Sequence, residues 1–373
     1  MFGVIPIDIL LLFMLYFAGA TMAAIACVYL LVRRGNAFAP NVVTPVRLRR
    51  WTAVFFGALA LGHLWYLPAV MVTSSEAVML CMLIGALLDC MLVVPLAIII
   101  LLCMLQDRKR PLWPAFAAVA PLVILMVVSI VNNSYALLPW LNGYLLLLGI
   151  CLTIYMVRAV RQYGRWLRDS YADLEHKEVW QSFLVLGVIL LVFCIYVSGV
   201  GGQAYEYIVQ VCGILLTCYL LWRVETLSDL SISQPLAVTV GEKAAEEKST
   251  TADDDIGALL QLYCVDTKLY LQHDLTVNQL AQAIGTNRFY LGQYFSRQDT
   301  TYNAYINTLR IAHFQALYTE AKSSDAGLSI SAKQLVHRSG YRSYSTFSLA
   351  FKHRTGQSVT TWITEQELRS PIK

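Results

Sequence analysis

Two ionisable side chains sit inside otherwise apolar stretches: His63 within Thr52–Val72 and Asp89 within Ala77–Leu105. Charge at membrane depth is costly, so such groups usually face a bundle interior or a cavity, where they relay protons or hold ligands. His63 and Asp89 are therefore candidates for an intramembrane sensing site, and an interhelical hydrogen bond is the plainer reading. Asp8 and Glu206 lie nearer the outer edge of their stretches, where contact with water is expected. No catalytic spacing occurs: the chain has no H-E-x-x-H, no G-x-S-x-G and no phosphate-cradling glycine loop. Its nine cysteines form no C-x-x-C pair, which speaks against a zinc site or a disulfide framework. Cys27, Cys81, Cys90, Cys103, Cys151, Cys194, Cys212 and Cys218 lie in apolar segments and only Cys264 in the tail, as expected of buried thiols acting as small hydrophobes. No metal, no cofactor and no enzymatic activity are expected.

The elements that must carry these residues divide the 373-residue chain in two. Overall, 57% of residues are hydrophobic and only 14% charged, against about 25% charged in an ordinary soluble domain. Mean hydropathy is +0.57. The apolar excess is confined to residues 1–225, where seven stretches approach the roughly 20 residues that a membrane-crossing helix needs. They are Ile5–Val32, Thr52–Val72, Ala77–Leu105, Trp113–Val131, Ala136–Val157, Val179–Val200 and Tyr205–Trp222. The first is too long for a signal-peptide core, and no cleavage site follows it.

Positive charge alternates between the loops. Arg33, Arg34, Arg47, Arg49 and Arg50 follow the first stretch; Arg108, Lys109 and Arg110 the third; Arg158, Arg161, Arg165, Arg168 and Lys177 the fifth; and Arg223 the seventh. The intervening loops at Thr73–Glu76, Asn132–Ser134 and Gly199–Gln203 carry no Lys or Arg. Because basic loops stay cytoplasmic, the pattern predicts an odd number of spans, an extracytoplasmic N-terminus and a cytoplasmic C-terminus. Arg158, Arg161, Arg165 and Arg168 recur at helical spacing and are expected to continue the fifth span into the cytoplasm, against anionic headgroups.

After Trp222–Arg223, Val224, Leu227 and Leu230 keep a helical spacing until Pro235. The joint 226–255 is read as an acidic linker, flexible from Ser231 to Asp255, a stretch with a reach of about 25–30 Å. Residues 256–373 return to soluble composition with a basic excess. A repeat stands out here. Thr276-Val277-Asn278-Gln279-Leu280-Ala281 followed by Gly285 recurs as Ser331-Ala332-Lys333-Gln334-Leu335-Val336 followed by Gly340. Each copy opens on a capping box, in which the hydroxyl of Thr276 or Ser331 and the amide of Gln279 or Gln334 satisfy the first free N–H groups of a helix. Each glycine then ends a short helix where positive φ is needed. A second helix follows each, about Asn287–Arg297 with Tyr290, Leu291, Tyr294 and Phe295 on the core side, and about Ser343–Arg354 with Phe347 and Phe351 inward. Helix, tight turn and helix is the unit that sets its second helix in a DNA major groove.

The stretch Leu275–Trp362 resembles the AraC-type DNA-binding domain. The matching pieces are L-T-V-N-Q-L-A-Q-A-I-G, Y-L-G-Q-Y-F, Y-I-N-T-L-R-I-A-H and L-V-H-R-S-G-Y-R-S-Y-S-T-F-S-L-A-F-K-H-R-T-G with a trailing T-T-W. With Ile256–Asp274 as a leading helix, the likeness covers about a third of the chain. It implies an all-α domain: a first helix-turn-helix unit at about 276–297, a connecting helix at about 301–321 and a second unit at about 331–354. The recognition helices would stand roughly one DNA turn apart. Ser358-Val359 replace the family's usual Thr-Pro, Tyr341 a common Phe, and Leu349 a position that is often polar. By resemblance, Arg288, Phe289, Gly292 and Gln293 face the groove in the first unit, and Tyr344, Ser345, Ser348 and Leu349 in the second. Gln293 suits adenine edges and Arg288 guanine. Phe289 and Tyr344 suit thymine methyls. Arg297, Arg342, Lys352 and Arg354 suit phosphates, which position without specifying. Arg310, in the connecting helix, is structural by resemblance.

The expected molecule is thus an all-α, membrane-bound, sequence-specific DNA-binding transcription regulator of a bacterial inner membrane. It has a seven-helix transmembrane bundle as anchor and candidate sensor, and a C-terminal domain of two helix-turn-helix units. Its expected partners are double-stranded DNA, the lipid bilayer, an unidentified signal or small-molecule effector and, by resemblance, RNA polymerase. A homodimer is also compatible with the sequence. A transporter or channel with a fused regulatory tail is the alternative, although neither internal repeats nor broken half-helices are evident.

Overall fold

The computed structural model describes residues 7–40, 42–66, 68, 74–132, 136–185, 187–188, 202–230, 252–323 and 331–369. Every regular element among them is helical, and the described chain falls into two compact units. One comprises Met1–Tyr163 with Val179–Ser231, the other Gly164–Glu178 with Ile232–Lys373.

The first unit is built from α1 (Ile7–Val32), α2 (Val46–Trp65), α3 (Ser75–Met104), α4 (Trp113–Val131), α5 (Leu138–Arg168, whose last residues belong to the second unit) and α6 (Gly202–Thr226). Five of these six are long and apolar enough to cross a membrane; α2 is the exception. Its first turn carries Arg47, Arg49 and Arg50, so its apolar run starts only at Trp51. Most of the predicted span Val179–Val200, and residues 231–251 of the predicted linker, lie outside the described residues, as do parts of the three uncharged loops. In sequence order α1 packs on α2, α2 on α3 and α3 on α4, and α6 closes against α1. Small residues sit at the contacts: Ala23 and Ala26 of α1 and Ala53 of α2 are buried, which allows close backbone approach. Large apolar side chains point the other way. Met14, Ile25, Leu31, Ile124 and Leu146 are each more than 60% exposed. Such a surface is unfavourable in water and suits hydrocarbon, where a helix is favoured because it satisfies its own backbone. Pro95 and Pro121 fall inside α3 and α4, as bilayer helices tolerate.

One end of this unit is polar and cross-linked. The Arg33 guanidinium pairs at 3.0 Å with Glu225, whose side chain is fully buried, and donates to Thr44 Oγ1 at 2.6 Å. Asn36 Nδ2 donates to the Glu225 carbonyl at 2.7 Å, Asp229 N to Val43 O at 2.7 Å and Gln106 Nε2 to Ser228 O at 2.9 Å. Arg47 reaches Arg110 O at 3.3 Å, and Arg110 is held by Asp107 at 2.6 Å. The basic loops after α1 and α3 and the chain leaving α6 therefore meet at one end.

The second unit contains α7 (Ala252–Leu260), a π-turn (Gln261–Asp266), a 3₁₀ turn (Leu269–Leu271), α8 (Val277–Ala283), α9 (Arg288–Arg297), α10 (Tyr302–Ser323), α11 (Ala332–Arg338), α12 (Tyr344–Thr355) and α13 (Val359–Arg369). The leading helix expected over Ile256–Asp274 is broken by the π-turn and the 3₁₀ turn, and Lys268 and Asp274 take positive φ. Two cores form. Leu260, Leu280, Leu291 and Phe295 build the first, into which α10 sends Tyr302 and Ile306. Leu335, Phe347, Phe351 and Trp362 build the second, into which the same helix sends Ile311 and Phe314. The connecting helix is thus a wall of both cores. Ala172, from the segment Gly164–Glu178, is buried in the first.

Candidate nucleic-acid interface

The two helix pairs form for the reasons their sequences predict. Thr276 accepts from Gln279 N at 3.2 Å while Gln279 Oε1 accepts from Thr276 N at 2.8 Å. Ser331 and Gln334 repeat the box at 3.3 and 3.1 Å. The second helix of each pair is capped as well, Asn287 accepting from Tyr290 N at 3.1 Å and Ser343 from Thr346 N at 3.2 Å. Gly285 has φ +74° and Gly340 φ +90°, values that L side chains rarely adopt.

The two turns differ in their packing. Two residues follow Gly285 before α9, and three follow Gly340 before α12. A Cβ on Gly285 would meet nothing within 4 Å, whereas one on Gly340 would lie 2.9 Å from the Leu271 carbonyl oxygen and 3.1 Å from Arg310 Nε. The longer turn is filled by Tyr341, which is buried, donates to Asn307 Oδ1 at 2.7 Å and lies under the Arg310 guanidinium, 5.4 Å from the ring centre. Arg310 is only 1% exposed and donates to the carbonyls of Tyr270 and Gln272, both at 2.7 Å. Burial pushes its pKa down, opposed by Tyr341 and Tyr302. His273 bonds Gly340 O at 3.0 Å. This knot joins the 3₁₀ turn before α8 to the turn before α12 and ties the two helix pairs together. The structural role expected for Arg310 has a visible mechanism.

With Leu291, Phe295, Phe347 and Phe351 facing inward, the opposite faces of α9 and α12 are open. Phe289 is 64% and Leu349 73% exposed, and Gly292, Gln293, Tyr344 and Ser345 are exposed beside them, with Ser348 half-buried. Arg297, Lys352 and Arg354 are exposed in the last turns of the two helices. Arg342 is exposed and paired with Asp274. Arg288 is half-buried because its guanidinium donates to Ser170 Oγ at 2.7 Å.

That contact belongs to a larger one that sequence reasoning missed. The segment Gly164–Glu178 lies along this side of the unit. Ala172 N donates to Leu275 O at 3.2 Å and Val277 N to Ser170 O at 3.0 Å, making an antiparallel bridge between Tyr171 and Thr276. Asn303 Nδ2 donates to Tyr171 O and Ala172 O at 3.1 and 2.8 Å. Glu175 Oε2 accepts from Ser343 Oγ at 2.7 Å and Thr346 Oγ1 at 2.9 Å. Lys177 pairs with Asp274 at 3.3 Å. Burial raises the Tyr171 hydroxyl to about 12, against the pull of Arg288. The available signal was the acidic set Asp169, Asp173, Glu175 and Glu178, which directly follows the arginines of that loop.

In the first unit, His63 and Asp89 each have a partner. A His63 ring nitrogen bonds the Leu59 carbonyl at 2.8 Å, and the ring packs edge-on against Tyr16 at 4.7 Å. Asp89 Oδ2 accepts from Tyr66 Oη at 2.7 Å.

Residues 280–365 match the family model of a helix-turn-helix domain, of the AraC type. No curated protein and no solved structure gives a match. The matched stretch covers α9 to α12 whole and supports binding of double-stranded DNA by a regulatory domain. The apolar N-terminal helices fit a membrane-anchored variant.

Proposed function

We propose that this protein is a membrane-bound, sequence-specific DNA-binding transcription regulator and not an enzyme, with two helix-turn-helix units, α8–α9 and α11–α12. The observation that carries the reading is the pair of capped helices α9 and α12, built on one connecting helix, with polar and apolar side chains exposed on the face away from the core. Each enters a major groove, and the two grooves are successive. Arg288 and Gln293 read purine edges, Phe289 and Tyr344 touch thymine methyls, and Gly292 admits close approach. Ser345, Ser348 and Leu349 complete the second surface. Arg297, Arg342, Lys352 and Arg354 hold phosphates.

The apolar half is a seven-span anchor with its N-terminus outside and the DNA-binding domain in the bacterial cytoplasm. This topology is supported by the loop charges and by the meeting of the Arg33–Thr44 loop, the Asp107–Arg110 loop and the end of α6 at one end of the bundle. His63 and Asp89 belong to its sensing site for an effector. RNA polymerase and a second copy of the chain are the protein partners of this reading.

The test is selection of random duplexes on the purified full chain in detergent micelles, at several salt concentrations. Two enriched sequence blocks about 10 base pairs apart are expected. Binding without enrichment of any sequence would refute specific recognition.

A further inference from the structure

Recognition helices of this kind present their N-terminal residues to base edges, and helix N-termini are natural seats for phosphate. In this structure the N-termini of both α9 and α12 are already engaged by one stretch of the same chain. Arg288, the first residue of α9, is held by Ser170 Oγ. Ser343 and Thr346, the cap and third residue of α12, both donate to the Glu175 carboxylate. Between these points the segment closes a two-hydrogen-bond bridge with the start of α8, taking up the otherwise free N–H of Val277. It also buries Tyr171 and Ala172, each to 3% exposure, and its Lys177 is buried against Asp274. A surface loop resting on a neighbour would not be expected to bury this much or to choose these partners.

We propose that Gly164–Glu178 is an autoinhibitory strap that competes with DNA for the N-terminal ends of α9 and α12, with the Glu175 carboxylate in the place of a backbone phosphate oxygen. The proposal rests on the DNA-binding reading given above. A carboxylate accepting from two hydroxyls at a helix N-terminus offers the chemistry that a phosphate would offer there. While Ser170 holds Arg288, that guanidinium is not available to a guanine. Strap and duplex therefore exclude each other, and the apparent DNA affinity is the intrinsic one reduced by the fraction of molecules with the strap released. The strap is also the direct continuation of α5, an apolar helix long enough to span a bilayer. A change in that helix has a covalent route to the reading face without passing through residues 231–251.

The experiment uses the full chain in micelles and a fluorescent mixed-sequence duplex, read by anisotropy. Tyr171 and Thr276 face each other as a non-hydrogen-bonded antiparallel pair, a geometry with Cα atoms about 4.5 Å apart that accepts a disulfide. In the double variant Tyr171→Cys, Thr276→Cys, oxidation fixes the strap without altering charge. The oxidised form should bind at least about tenfold more weakly than the same protein reduced, while oxidant leaves the wild type unchanged. A second variant, Ser170→Ala with Glu175→Ala, loosens the strap and should bind on the order of tenfold more tightly than wild type. Equal affinity of oxidised and reduced forms overturns the proposal. If the reduced double-cysteine protein does not bind at all, the alanine variant decides, and unchanged affinity there overturns it. Failure of every form, wild type included, to bind duplex at low salt would instead remove the DNA-binding reading, and the strap with it.

Discussion

Gly285 and Gly340 occupy equivalent places in the two helix pairs, yet replacing each by alanine should have very different consequences. At Gly285 the only cost is conformational: φ is +74° and a Cβ meets nothing, so about 1–2 kcal/mol is expected. At Gly340 the same cost applies, with φ +90°, and the new Cβ would also lie 2.9 Å from Leu271 O and 3.0 Å from Leu271 Cα. Backbone cannot swing away as a flexible side chain can, so overpacking adds about 1–3 kcal/mol. The remaining close atom is Arg310 Nε at 3.1 Å. Pushing it off the Tyr270 carbonyl loses a hydrogen bond from a charged donor, worth about 1.5–3 kcal/mol. The sum for Gly340→Ala is at least about 3 kcal/mol, a large part of the roughly 5–15 kcal/mol that holds a domain together. Hydrogen exchange followed by mass spectrometry on the full chain in micelles reads this directly, since about 1.4 kcal/mol is tenfold in protection. Peptides of α10 and α12 should lose roughly a hundredfold or more in Gly340→Ala. In Gly285→Ala the loss should be about five- to thirtyfold and centred on α8 and α9. Equal losses in the two variants would refute the view that the Leu271–Gly340–Arg310 knot ties the halves together.

Arg310→Met leaves the Tyr270 and Gln272 carbonyls without their donor, at about 1–3 kcal/mol each; thermal melting should shift down, and DNA affinity should fall equally on selected and mixed duplexes. Gln293→Ala should weaken binding to the selected duplex by about 1–3 kcal/mol and leave mixed-sequence binding nearly intact; equal loss on both would remove it as a base reader. Arg33→Met removes the ion-pair partner of the buried Glu225 carboxylate and leaves it Tyr29 and the more distant Arg49, so the loss should stay below the about 3–5 kcal/mol of a fully stranded charge; the temperature at which the full chain aggregates in micelles should drop, and Arg33→Met with Glu225→Leu should recover most of it. His63→Ala and Asp89→Asn should each alter reporter induction across growth conditions, and unchanged induction in both would end the sensing proposal for that pair.

The C-terminal half was largely legible because its signals are local. The capping boxes at Thr276 and Ser331, the glycines at 285 and 340, and the inward pairs Leu291/Phe295 and Phe347/Phe351 depend on neighbours within a few residues, and all appear as read. The exposed face of α9 and α12 follows from the same periodicity. The π-turn in the leading segment was not legible, since Gln261–Asp266 has the composition of an ordinary helix. Nor was the strap, because its contacts join residues far apart in the chain, 118 positions from Ser170 to Arg288 and 171 from Glu175 to Thr346. The arginines before it carried a topological message that drew attention from the acidic residues that follow them. In the apolar half, length and hydropathy located the five helices long and apolar enough to cross a membrane, but the Arg33–Glu225 pair spans almost the whole unit and left no local trace.

The connecting helix α10 has a consequence for the DNA rather than for the protein. At 22 residues and about 1.5 Å per residue it is a rod of roughly 33 Å, close to one turn of the double helix. Because it is a wall of both cores, it has no joint at which the two helices proposed to read DNA could be re-spaced. One base pair added between two contact blocks would rotate the far block by roughly 35° and carry it about 3.4 Å further along the axis. A rod cannot follow that displacement, so the duplex would have to untwist or bend to meet it. The spacing of the binding site is then as much a part of the recognised message as its letters, and insertions between the blocks should be selected against as strongly as changes within them.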